Sequence, residues 1–107
     1  MPGVKSYLER IIQLGFEADY IWRSFKLYSN MSFKRKGESD ETLIVQLIRP
    51  LYAKSADEWL IAPGWHREDD GGFDCAALSI EEYIAFIDFI NAVELWLQKG
   101  GDLNCLK

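Results

Sequence analysis

Hydrophobic residues recur along this chain with two different periods, and the change of period marks the elements. Val4, Tyr7, Leu8, Ile11 and Ile12 fall at i, i+3, i+4, i+7 and i+8, on one helical face, with Lys5, Glu9, Arg10 and Gln13 opposite. A helix is predicted over about 4–14, closed by Gly15 in the left-handed conformation favoured at helix C-termini. FEADYIWRS can be read as helix, with Asp19 and Arg23 as an i, i+4 pair. From Ile21, however, the period drops to two. Ile21, Phe25, Leu27, Met31 and Phe33 form the greasier face and Trp22, Lys26, Tyr28 and Lys34 lie on the other. A strand over about 21–34 is therefore preferred.

RKGESDE, 35–41, reads as a polar turn, and TLIVQLIR, 42–49, as a short strand apolar on both faces, hence central. Pro50 ends regular pairing or makes a bulge, with LYAK continuing as an edge. Ser55-Ala56-Asp57 is a turn, EWLIA, 58–62, a strand, and Pro63-Gly64 its break. Ser79-Ile80-Glu81-Glu82 is a capping box that starts a helix running to about 98, and Gly100-Gly101 stops it. This last helix is apolar over a wide arc, leaving a narrow stripe through Glu81, Ala85, Asp88 and Ala92 to face water. Such a helix needs cover on two sides.

Between these elements lies GWHREDDGGFDC, 64–75. Asp70-Gly71 is a strong two-residue hairpin signal, because a type I′ turn needs positive φ at both positions. That register sets His66 against Cys75, Trp65 against Ala76 and Arg67 against Asp74, a favourable cross-strand pair. The expected fold is α+β, a single domain over 1–107. An antiparallel sheet of about four strands carries an N-terminal and a long C-terminal helix, in the order α-β-β-β-β-α.

Composition sets limits on function. Apolar residues make up 49% and charged residues 27%, a globular balance rather than a disordered one. No apolar run approaches the ~20 residues a membrane helix needs. The start lacks the apolar stretch and cleavage site of a secretory signal. A cytoplasmic location is expected, with Cys75 and Cys105 as free thiols. The net charge of −5 is uneven: residues 1–37 hold seven Lys/Arg against three acids, and residues 38–107 five against fourteen. The acidic part argues against wholesale DNA or membrane binding and suits a partner with a basic surface.

Three candidate sites follow. The acidic hairpin tip, Glu68, Asp69, Asp70 and Asp74 with Trp65 beside it, offers charge and an aromatic anchor to a protein partner. Trp22, Lys26, Tyr28, Lys34, Arg35 and Lys36 interleave rings and cations as single-stranded nucleic acid would require. His66, Glu68 and Cys75 include zinc-ligand types, and His66 with Cys75 could make a reactive thiol. No CxxC, second histidine, nucleophile elbow or EF-hand spacing supports that third site, and a plain structural role is preferred. No cofactor or metal is implied. The leading expectation is a small acidic, non-enzymatic protein-binding module of the inhibitor, immunity or adaptor type. Nucleic-acid binding is the alternative, and a small enzyme or metal site the second. A homodimer through the helix at 80–98 is compatible with each.

Overall fold

A computed structural model describes residues 2–17 and 22–103. Helix α1 spans Pro2–Gln13, strands β1 Arg23–Ser24, β2 Tyr28–Lys36, β3 Glu41–Pro50, β4 Leu60–Arg67 and β5 Phe73–Cys75, and helix α2 Ile80–Gln98. The five strands form one antiparallel meander in sequence order, so β3 is central, as its two-faced apolar sequence requires. Both helices cover the same face. The chain is thus an α+β domain in which no described helix covers the other side of the sheet.

Alternation decides which face is covered. Met31 and Phe33 of β2 pair with Leu47 and Val45 of β3, and Ile61, Pro63 and Trp65 of β4 continue the same face. Against them α2 packs Phe86, Phe89, Ile90 and Val93, all buried. The Phe33 ring meets Phe86 and Phe89 edge-on at 5.2 and 5.8 Å, and Phe16 meets Phe86 at 5.1 Å. Each such fully buried side chain contributes roughly 1.5–3 kcal/mol. The capping box is formed as predicted: the Ser79 hydroxyl accepts from the Glu82 N–H at 3.1 Å, and the Glu82 carboxylate accepts from the Ser79 N–H at 2.8 Å. Glycines end both helices with positive φ, Gly15 at 96° and Gly100 at 93°.

Arg35 fastens three elements together. Its guanidinium lies 4.7 Å from the centroid of the Phe16 ring, donates to the Leu14 carbonyl at the end of α1 and pairs with Glu82 at the start of α2. A second buried centre joins β3 to α2. Glu94 accepts from Arg49 Nε at 2.9 Å and Nη2 at 3.2 Å, from Trp59 Nε1 at 2.9 Å and from Gln98 Nε2 at 2.7 Å.

Several expectations are corrected. The strand expected over 21–34 is two strands: the chain doubles back at Lys26-Leu27, where the Phe25 N–H donates to the Tyr28 carbonyl at 2.8 Å. Tyr20 and Ile21 fall outside the described residues, as does Cys105. β2 also extends to Lys36, so the first polar turn is confined to 37–40. After Pro50 the chain turns rather than continuing as an edge, and a 3-10 turn, Ala56–Glu58, precedes β4. Pro63-Gly64 does not break β4. The Pro63 carbonyl points to the β5 side, accepting from Ala76 at 3.3 Å, so the missing N–H falls just where β5 has ended and costs nothing against β3. Finally, the stripe of α2 through Glu81, Ala85, Asp88 and Ala92 faces water fully only at Glu81. Ala85 is buried and Asp88 accepts from Arg10 of α1, because small side chains there let the first helix approach.

Candidate functional site

The open face of the sheet is built from the even-numbered positions of β3 and β4. Outward go Thr42, Ile44, Gln46 and Ile48 of β3, Leu60, Ala62, Gly64 and His66 of β4, and Phe73 and Cys75 of β5. An antiparallel face turned to water ordinarily carries polar residues. Here Leu60 is 60% and Phe73 59% exposed, with Ile44 and Ile48 half-buried between them. The distal edge of the Phe73 ring sits over Gly64, where any Cβ would clash with it. Glycine at 64 therefore lets the aromatic approach the backbone of β4.

One end of this face is acidic, and more so than the hairpin sequence suggests. The Glu68 N–H donates to the Asp40 carbonyl at 2.7 Å, drawing the β2–β3 and β4–β5 turns together. Glu38, Asp40 and Glu41 thereby join Glu68, Asp69, Asp70 and Asp74, outnumbering Lys34, Lys36 and Arg67 at the same end. Lys36 and the Thr42 hydroxyl both bond to Glu68 and hold its carboxyl below the usual range. Asp70 is also held down, by the Gly72 N–H at 2.7 Å and by Arg67. These carboxylates remain charged under mildly acidic conditions. The three acids of the first turn went unrecognised in the sequence, since nothing local joins residue 40 to residue 68.

The hairpin itself differs from its expected register. Arg67 is opposite Gly72, His66 opposite Phe73, Trp65 opposite Asp74 and Gly64 opposite Cys75, around a four-residue loop with Gly71 at φ 70°. The longer loop lets Asp70 accept from Gly72 and lets Arg67 bond to both Asp70 and Asp74. The shift is two residues, so every side chain keeps its face. His66 and Cys75 are therefore co-facial as expected, but diagonal, not opposite. Glu68 is engaged elsewhere, and among the described residues no three His, Cys, Asp or Glu gather as metal ligands. Cys75 is an exposed free thiol.

The other candidates are divided by the fold. Trp65 is not an exposed anchor: it points to the helix side, half-buried over Gly37, and Phe73 holds the exposed aromatic position instead. Among the nucleic-acid candidates, Trp22 is buried, edge-on to Trp59 at 5.6 Å. Arg35 faces the helices, and Lys36 is paired with Glu68. Lys26, Tyr28 and Lys34 stay exposed, but with Trp22 buried and Arg35 and Lys36 paired the continuous ring-and-cation face does not form. On the helix side, Ile80, Ile84 and Leu95 of α2 are exposed, and Leu95 lines a groove of about 580 Å³ with Val4, Tyr7, Ala92 and Trp96. No described helix is long and apolar enough to cross a membrane. No family model, curated protein or solved structure matches this chain.

Proposed function

We propose that this chain is a non-enzymatic protein-binding module, an inhibitor, immunity-type protein or adaptor, that receives its partner on the open sheet face. The observation that carries the reading is the pairing of an uncovered apolar strip, Ile44, Ile48, Leu60 and Phe73, with an acidic end made by two adjoining turns. A partner with an apolar centre and a basic rim matches both. Carboxylates at the rim speed encounter, and the buried aromatic supplies most of the holding energy. The exposed free thiol of Cys75 supports a reducing compartment, the cytoplasm. The exposed apolar residues of α2 leave room for self-association on the opposite layer.

The test begins with the partner recovered from the native cell on the tagged chain. Binding is then measured for two variants. Asp69→Lys with Asp70→Lys should slow association by about tenfold or more at low salt. Phe73→Ala should speed dissociation by about tenfold or more, as for an anchor residue. A partner that binds both variants as it binds the parent removes this face from the interface.

A further inference from the structure

At the end of the sheet away from the acidic turns, two other turns meet. The β1–β2 turn closes through the Phe25–Tyr28 hydrogen bond, and the Leu51 N–H, just past β3, donates to the Leu27 carbonyl at 3.1 Å. This sets Phe25, Leu27, Tyr28, Leu51 and Tyr52 side by side. All five are exposed, Leu27 by 67% and Tyr52 by 75%, and the rings of Phe25 and Tyr28 stack with centroids 4.9 Å apart. Turn geometry does not call for them. Tight turns are ordinarily Gly, Asn, Asp, Pro or Ser, and side chains pointing into water add nothing to the core. Around them stand Arg23, Lys26 and Lys54, all exposed, and residues 22–37 contain no acid. Two carboxylates near Lys54, Asp57 and Glu58, are turned to the Ser55 hydroxyl and the Lys54 amide.

We infer that these paired turns dock the protein on an anionic lipid surface. The apolar side chains project from turn tips. A bilayer interface accepts a projecting tip anywhere along it, whereas a protein partner must offer a matching hollow. Aromatic rings beside a lysine between two apolar residues suit the headgroup level, where the ring and the lysine stem are half-buried and the ammonium stays wet. Three cations complement the lipid charge. Seven of the seventeen acids, Glu38, Asp40, Glu41, Glu68, Asp69, Asp70 and Asp74, lie at the far end of β3, so much of the negative charge stands away from this docking. Ten residues of strand, at about 3.3 Å each, separate the two ends by roughly 30 Å, several times the ~8 Å screening length at physiological salt. The bound molecule stands with its acidic end in solution. This surface shares no residue with the open-face site, whose tested residues Asp69, Asp70 and Phe73 lie toward the other end of β3, and either can fail without the other.

The test is co-sedimentation of the full chain with phosphatidylcholine vesicles, with and without phosphatidylserine. The parent should sediment with the phosphatidylserine vesicles, more at low salt, and much less with phosphatidylcholine alone. Leu27→Ser with Tyr52→Ser, and separately Lys26→Glu with Lys54→Glu, should each lower partitioning about tenfold or more. Asp69→Lys with Asp70→Lys should not lower it. These side chains are exposed, so thermal melts of the variants should match the parent. No sedimentation of the parent with anionic vesicles at low salt overturns the inference, and that arm needs no variant. Binding that survives both tip variants overturns it as well. So does a parent that ignores vesicles but binds polyglutamate or a single-stranded oligonucleotide through the same tips, which would assign the surface to another polyanion.

Discussion

The loss of Glu94 should be strongly felt. Its carboxylate sits between β3 and α2, where the Glu94 and Arg49 side chains are only 5% and 13% exposed. Glu94→Ala removes the acceptor of four hydrogen bonds. Arg49 is then left with the Ala53 carbonyl alone, and the Trp59 indole N–H loses the acceptor it has. Removing one partner of a buried ion pair costs about 3–5 kcal/mol, because the remaining charge is stranded away from water. Against a total stability of about 5–15 kcal/mol for a domain of this size, that is a large share. Urea unfolding followed by tryptophan fluorescence reads it directly. With a slope of about 1–3 kcal/mol per molar, the midpoint should fall by at least ~1 M. Arg49→Met alone should also be costly, yet adding it to Glu94→Ala should cost less than the two separately, because no charge is then stranded. The pH dependence carries a sign. Burial pushes the Glu94 carboxyl up, but hydrogen bonds from Arg49, Trp59 and Gln98, with the Arg49 charge, outweigh it and the net direction is down. A group held below its unfolded value stabilises above the ordinary glutamate range, and that stability is lost as pH falls through the depressed folded value. Glu94→Ala should therefore flatten the acid limb of the stability curve. A loss below ~1 kcal/mol, or strictly additive effects with Arg49→Met, would refute the reasoning.

Three further outcomes are expected. Gly37→Ala would bring a Cβ within 2.5 Å of the Trp65 ring, which is packed on the core, and should cost about 1–3 kcal/mol in the same urea assay. Ser79→Ala removes one half of the capping box and should lower stability by about 0.5–2 kcal/mol, with Ser79→Gly milder. Phe89→Ala empties a fully buried position against Phe33 and should cost about 3–5 kcal/mol, read as a lowered thermal midpoint.

Much of the fold was legible because its signals are local. The capping box at Ser79 acts over three residues, and Gly15 and Gly100 end their helices by a conformation other residues avoid. The two-faced apolar run of β3 could hardly belong anywhere but the centre of a sheet. The candidate sites were less legible. Alternation through Ile21–Lys34 continues across the turn at Lys26-Leu27, because Phe25 and Leu27 keep the apolar rhythm while facing water. Rhythm reports hydrophobicity, not burial, so one strand was read where the chain makes two.

By itself, then, the sequence determined the two helices and their caps, the central strand and the α+β class. These depend on residues a few positions apart. Only the tertiary structure decided which apolar surfaces found cover. It sent Trp22 and Trp65 inward and left Phe73 out, and it gave the small-residue side of α2 to α1. It also gathered two acidic turns through one hydrogen bond between Glu68 and Asp40. Each of those outcomes joins residues far apart in the chain, and burial and net field are set by the sum of such neighbours rather than by any one segment.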